Sequence, residues 1–377
     1  MANAVAEQVP SSTLALERRP KTWAEVEGQE IPVTVLVNSL HAEDIKPGYL
    51  FTGTTGTGKT SAALLLSKRL LCENPNEKTQ DPCDACRVCD QFSRGITHDL
   101  KYVDGAADRS VAFVREALKP FLQSQPFGGR RRIVIIDECH LYGKDAIASF
   151  LTMLERMPTE SKRSIVIFCT TDGDAIDPAI RNRCLTLHFS NIAPSKIASV
   201  MTRFFPSADP KVLELLAEES GGSFRTMWAY MEAWQHLGKP LTEDLVMQLV
   251  GGVTDRERQA LWYDISNRNV EGIARRWKKW IESGARAKVV GSHLLKDLIE
   301  YAAHNPSVTT WQKPLAILSG AQLTSPDSAL LPALYTLIGL PLVSQSAEKM
   351  AGTREMAAQN SGGPADEAAK RLLFLGA

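Results

Sequence analysis

This chain lacks a net charge, a long apolar run and, in its first residues, the pattern of a secretory leader, and each absence narrows what is expected of it. Forty-three Lys and Arg balance forty-three Asp and Glu over 377 residues. No overall field therefore draws the molecule to DNA or to a membrane surface, and any nucleic-acid contact has to come from a local patch or from an assembly. No apolar run approaches the ~20 residues of a membrane-spanning helix. Residues 1–10 show no basic segment followed by an apolar one, so no secretory signal is expected. Cysteine is scarce, with seven in all, and four of them fall between Cys72 and Cys89. Without a leader, that clustering favours a bound metal over disulfides, and a reducing compartment, the cytoplasm, is expected. Apolar material is present in ordinary amount, 44% of residues, and the length suits two or three domains.

The most specific motif is Gly53-Thr54-Thr55-Gly56-Thr57-Gly58-Lys59-Thr60, which reads G-x-x-x-x-G-K-T. It follows the apolar run Tyr49-Leu50-Phe51 and precedes residues 61–71, a good helix former. A strand, a glycine-rich turn and a helix start let backbone N–H groups and the helix's positive end cradle phosphates. Lys59 is expected to reach the β- and γ-phosphates of ATP, and Thr60 to hold Mg²⁺. Downstream, the nearly continuous apolar run at 132–136 reads as a buried parallel strand and ends in Asp137-Glu138, a Walker B arrangement. Asp137 is expected to order Mg²⁺ with Thr60, and Glu138 to polarise the attacking water. A second such run, 164–168, leads into Cys169-Thr170-Thr171-Asp172. Thr171 there could orient the water, the sensor 1 position of an AAA+ ATPase.

Two arginines complete the expected site. Arg183, in Arg181-Asn182-Arg183-Cys184, cannot easily reach its own nucleotide but could project to a neighbouring subunit's γ-phosphate as an arginine finger. A surface ion pair is the alternative for it. Gly222-Ser223-Phe224-Arg225 opens a helix from which Arg225 could reach back to the phosphates as a sensor 2 residue.

Cys72, Cys83, Cys86 and Cys89 read C-x10-C-x2-C-x2-C. Four thiolates close a tetrahedral Zn²⁺ shell with no position left open, which points to a structural zinc ion. Cys72 is expected to end the P-loop helix, so the module is an insertion between that helix and the next strand. Cys139, Cys169 and Cys184 stand singly and are read as small apolar filler.

These motifs in this order resemble the γ/τ ATPase subunit of bacterial DNA polymerase III clamp loaders, a branch of the AAA+ ATPases. The similarity begins at Arg19-Pro20-Lys21-Thr22-Trp23 and Val26-Glu27-Gly28-Gln29-Glu30, which looks like the family's segment near the adenine. It continues through the P-loop, the four-cysteine module, Asp137–His140, Thr170–Asp172, the Arg183-Cys184 pair and Gly222–Arg225, covering about residues 14 to 235. The family's finger motif usually has Ser where Asn182 stands, and Cys139 replaces a small apolar residue.

The resemblance implies an α/β AAA+ P-loop core with a zinc-module insertion, then an α-helical lid and an α-helical collar. The expected divisions are a disordered N-terminus at 1–13, a core at 14–192 with the module at 72–89, and a lid at 193–250. A collar at 251–345 and a flexible tail at 346–377 with a short helix at 368–375 complete the chain. Trp262, Trp277, Trp280 and Trp311, at helical spacing among apolar residues, are read as collar core. The resemblance also implies the partners: a sliding clamp, primer–template DNA gripped through its backbone, and other loader subunits in a pentameric spiral. Arg109 sits where the family presents DNA contacts, with a solvated surface arginine as the alternative. The chain ends near the end of the expected collar, which suits a short form or a viral homologue.

Three other readings compete. A DExH helicase fits Asp137-Glu138-Cys139-His140, but such enzymes need a second α/β domain where residues 195–377 read as helical. An AAA+ DNA motor of another type is opposed by the cysteine module. A non-hydrolysing clamp-loader stator is opposed by intact Lys59, Thr60, Asp137 and Glu138.

Overall fold

The computed structural model describes residues 13–107, 109–128, 130–160, 164–304, 312–324 and 326–338. The expected disordered segment up to residue 12, Trp311, and the tail from 346 with its helix at 368–375 lie outside them. Thr13, assigned to the disordered segment from the sequence, instead opens a short helix. The chain divides into two compact units between Gly238 and Lys239.

The first unit runs α1 (Thr13–Glu17), α2 (Glu30–His41), β1 (Gly48–Thr52), α3 (Lys59–Leu71), α4 (Arg87–Ser93) and β2 (Leu100–Asp104). A helical stretch follows as α5 (Val111–Phe113), a π turn (Val114–Leu118) and α6 (Lys119–Gln123). Then come β3 (Arg132–Asp137), α7 (Lys144–Glu160), β4 (Ser164–Thr170), α8 (Pro178–Arg181) and β5 (Leu185–His188). Three helices close the unit: α9 (Pro194–Phe204), α10 (Pro210–Glu219) and α11 (Phe224–Leu237).

The five strands form one parallel sheet in the order β2-β3-β4-β1-β5. Both faces are covered, as continuous apolar strands require. Side chains alternate along a strand, so Ile133 and Ile135 of β3 pack with Leu65, Leu66 and Leu70 of α3. Val134 and Ile136 pack with Phe150 and Leu154 of α7 on the opposite side. The same alternation puts Asp137 on the α3 face, next to the helix that starts at Lys59. Cys139 and Cys169 are buried and Cys184 is partly buried against the α7-side core, as apolar filler should be.

The second unit holds α12 (Glu243–Val250), α13 (Asp255–Ser266), α14 (Val270–Glu282), α15 (Ala287–His304), α16 (Gln312–Thr324) and α17 (Pro326–Ile338). Trp262, Trp277 and Trp280 are buried in its core with Leu294, Leu318 and Leu334. Asp297 joins two helices by accepting from Trp262 Nε1 at 3.0 Å and pairing with Arg258. Because α12 falls after Gly238, the helical region splits one helix earlier than the lid–collar boundary at 250.

Candidate functional site

The turn after β1 shapes a cradle. Gly56 has φ +80°, and a Cβ there would meet Ser223 Oγ at 1.9 Å. Only glycine admits both that conformation and that approach. The close packing lets Phe224 N donate to Gly56 O at 3.1 Å, which ties the start of α11 to the P-loop. Thr57 Oγ1 donates to Thr54 O at 2.9 Å and holds the turn from inside. Gln29 supplies a third tie: its Nε2 donates to Thr57 O at 3.1 Å and to Ser190 O at 2.8 Å, and its Oε1 accepts from Ser190 N. The segment picked out only by resemblance, Val26–Glu30, thus has a physical task.

Lys59 lies in the cradle and is only 5% exposed. Its Nζ donates to Gly53 O at 2.6 Å and Thr54 O at 2.7 Å. Burial pulls the ammonium below the usual lysine value. Phosphate oxygens would offer this desolvated cation better acceptors than neutral carbonyls do. Thr54 and Thr55 are exposed at the rim, and Thr54 Oγ1 donates to Asn191 Oδ1.

Thr60, the second residue of α3, donates from Oγ1 to Asp137 Oδ2 at 2.8 Å. With its hydrogen turned to the carboxylate, the hydroxyl's lone pairs are free for a cation. An all-oxygen pair of this kind fits Mg²⁺. Glu138 adopts left-handed backbone angles, φ 48° and ψ 46°, a conformation that costs a non-glycine residue on the order of 1 kcal/mol. The turn aims its carboxylate at β4, where Oε2 accepts from Thr171 Oγ1 at 2.8 Å and Thr171 N at 3.2 Å. His140 Nδ1 lies 3.4 Å from the same oxygen and 2.9 Å from Thr170 Oγ1.

Thr55, Lys59, Thr60, Asp137, Glu138 and Thr171 border one cavity of about 750 Å³. Arg225 enters it from α11, and Arg19, Thr22 and Val26 from the N-terminal segment. Arg19 belongs to the Arg19–Trp23 segment singled out by resemblance, whereas Tyr102 is a contributor that no motif announced. Neither Arg183 nor Arg109 lines it. Arg183 is half-exposed, donates to Ala179 O at 3.0 Å, and pairs with Glu155 on α7. Arg181, its neighbour, is committed to its own loop through Ile176 O and Asp174 O. Arg109 is exposed.

The four clustered cysteines converge after α3. Their Sγ atoms all lie within 4.8 Å of one another. Amides point at the sulfurs: Cys83 N to Cys72 Sγ at 3.3 Å, Cys86 N to Cys83 Sγ at 3.3 Å and Cys89 N to Cys86 Sγ at 3.4 Å. The backbone N–H of Ala85, aided by that of Cys86, draws the Cys83 thiol down to about 6. Zinc–sulfur bonds of about 2.3 Å need sulfurs roughly 4 Å apart, so the donor set fits Zn²⁺.

A family model described as DNA polymerase III, delta subunit, matches residues 28–193. The DNA polymerase III subunit tau of Escherichia coli is 35% identical over 216 residues, 56% of this chain and 33% of that protein. The Haemophilus influenzae subunit tau/gamma is 31% identical over 268 residues, 70% of this chain and 38% of that one. Protein STICHEL of Arabidopsis thaliana is 31% identical over 314 residues, 82% of this chain and 25% of its own length. The chain thus spans between a quarter and two fifths of these relatives. Among solved structures, the Thermotoga maritima RuvB Holliday junction branch migration motor aligns at 14% identity with TM-score 0.45, covering 69% of this chain and 85% of that one. The matched span carries the P-loop, the four cysteines, the Asp137-Glu138 pair and Thr171 in the order described, and it places the chain among AAA+ proteins of the DNA polymerase III γ/τ type.

Proposed function

We propose that the chain is the ATP-hydrolysing subunit of a sliding-clamp loader, a machine that opens a ring clamp and places it on primer–template DNA. The observation that carries this reading is the meeting of Lys59, Thr60, Asp137, Glu138 and Arg225 around one cavity. A buried cation, an oxygen pair suited to Mg²⁺ and a carboxylate beside a hydroxyl are the parts that phosphoryl transfer to water needs. Lys59 and Arg225 would take the phosphate charge, and Thr60 with Asp137 would hold Mg²⁺. The ion, when bound, neutralises charge developing on the phosphate oxygens. Glu138 would take the proton from the attacking water, with Thr171 holding its carboxylate. The Phe224–Gly56 hydrogen bond supports coupling between nucleotide and the lid helix α11. The helices from α12 onward would form the collar of a pentameric spiral. Arg183 would serve a neighbour's nucleotide and Arg109 the DNA backbone, and the setting would be cytoplasmic. A non-hydrolysing stator with this fold has no use for an intact Glu138 held by Thr171.

The test is ATP hydrolysis by the purified chain assembled with its loader partners, with and without clamp and primed DNA. Stimulation by clamp and primed DNA together is expected, and DNA-only stimulation would favour a motor of another type. Lys59→Ala should lose ATP binding and turnover, because a neutral side chain leaves the phosphates without their buried cation. Binding by the Lys59→Ala protein within threefold of wild type would remove Lys59 from the site.

The four-cysteine cluster is proposed to hold one structural Zn²⁺. Elemental analysis of protein purified without chelator should find about one zinc per chain. Cys86→Ser should release it and lower the melting temperature, since binding of a structural ion is linked to folding. Zinc-free protein with an unchanged melting temperature would remove the ion from the structure.

A further inference from the structure

The orientation of Asp137 depends on who donates to it. Its Oδ1 accepts from the Glu138 amide at 3.1 Å. Its Oδ2 accepts twice, from Thr60 Oγ1 at 2.8 Å and from the Tyr102 hydroxyl at 2.8 Å. Tyr102 belongs to β2, an edge strand of the sheet, and pairs in parallel register with Ile135. Alternation puts it on the α3 face together with Asp137. Its ring packs against the core under that face, and the hydroxyl reaches up the sheet to the carboxylate. The backbone just beyond is equally close. Gly105 N donates to Asp137 O at 2.8 Å, and a Cβ on Gly105 would lie 2.7 Å from the carbonyl oxygens of Asp137 and Glu138. The end of β2 is thus built against the turn that carries both acidic residues.

We infer that Tyr102 is a positioning residue for Mg²⁺-dependent nucleotide binding, its hydroxyl fixing the Asp137 carboxylate in the orientation that faces Thr60. The inference rests on reading the cavity as an ATP site. Without Tyr102 the carboxylate would keep a single donor on each oxygen, Thr60 Oγ1 on Oδ2 and the Glu138 amide on Oδ1, and could turn more freely about its terminal bond. Two donors on the same oxygen, from α3 and from β2, select one orientation. The second donor is also permanent. As a phenol it is an O–H donor at neutral pH. The sequence neighbours of Tyr102, Lys101 and Val103, point away from this face and cannot replace it.

The experiment is calorimetric binding of ADP and ATPγS, first in EDTA and then across a Mg²⁺ titration. Tyr102→Phe keeps the ring and loses only the hydroxyl. Its metal-free affinity should stay within about twofold of wild type, because Lys59 and the P-loop amides are untouched. The Mg²⁺ concentration that gives half the metal-dependent gain should rise about tenfold, as for loss of an outer partner of a metal-holding carboxylate. Asp137→Asn should abolish the gain, and adding Tyr102→Phe to it should change nothing further if Tyr102 acts through Asp137. An unchanged Mg²⁺ midpoint in Tyr102→Phe overturns the role of Tyr102 and leaves the site reading intact. A parallel loss of metal-free affinity overturns it as well, since the ring would then serve only the fold. Wild-type protein that binds neither nucleotide overturns both readings.

Discussion

Glu138→Gln should bind ATP as wild type does and hydrolyse it about 10²- to 10⁴-fold more slowly, the range expected for loss of a general base. The substitution keeps the size of the side chain and can keep the contact with Thr171, through the amide oxygen. What it removes is the capacity to accept a proton from water. Binding would be spared because, in the proposed site, phosphate charge would be met elsewhere, by Lys59 in the cradle and Arg225 on α11. The backbone at Glu138 supports a role in the reaction. Left-handed angles at a non-glycine residue persist only where surrounding structure over-determines them, and here a strand end, Gly105 and Thr171 all do so. Equilibrium nucleotide binding and single-turnover hydrolysis, measured on the same preparation, separate the two effects. Hydrolysis within threefold of wild type would take Glu138 out of the reaction.

Arg183→Ala should leave the slow basal rate of the isolated chain unchanged and remove the stimulated rate of the assembly. The upper bound is the factor of roughly 10³–10⁵ known for arginine fingers, with a smaller loss expected when several sites fire together. Arg183 lies outside the border of its own cavity. Its pairing with Glu155 is exposed, with the two side chains 38% and 53% accessible. Such a pair contributes at most about 1 kcal/mol, so the guanidinium can exchange it for a neighbour's phosphate at little cost. Arg181, held by two carbonyls of its own loop, has no such freedom. Mixed assemblies distinguish the direction of action. When Arg183→Ala chains are combined with Lys59→Ala chains, a wild-type nucleotide site beside a finger-less neighbour should stay slow. Rates that instead follow each chain's own arginine would show that Arg183 acts in cis, and the spiral reading would lose its support.

Much of the first unit can be read along the chain because its signals are local. The glycine-rich turn, the helix start at Lys59 and the apolar runs of β3 and β4 each depend on residues a few positions apart. The C-x10-C-x2-C-x2-C spacing likewise carries its own geometry, and the sulfurs do converge. The tryptophans of the second unit could be read as core from helical spacing, and those within the described residues are buried. The lid boundary was less legible. The helix from 243 to 250 has the same amphipathic texture as those before it, and only the contacts it makes assign it to the second unit.

Tyr102 shows where such reading ends. In sequence it is one aromatic in Leu100–Asp104, a short strand, and nothing near it marks an acidic partner 35 positions away. The register that pairs β2 with β3 is a long-range choice, and only that choice puts the phenol on the α3 face below Asp137. The same holds for Gln29, whose three hydrogen bonds join segments that meet only once β5 lies beside β1. The sequence by itself determined the α/β class, the phosphate cradle, the acidic pair at the end of β3 and the thiol cluster, because backbone geometry and residue chemistry over short spans suffice for each. Tertiary structure alone decided which side chains converge on the cavity, how Asp137 and Glu138 are held, and which arginine is left outside, because strand pairing and the packing of α11 on the P-loop are set by contacts between residues far apart in the chain.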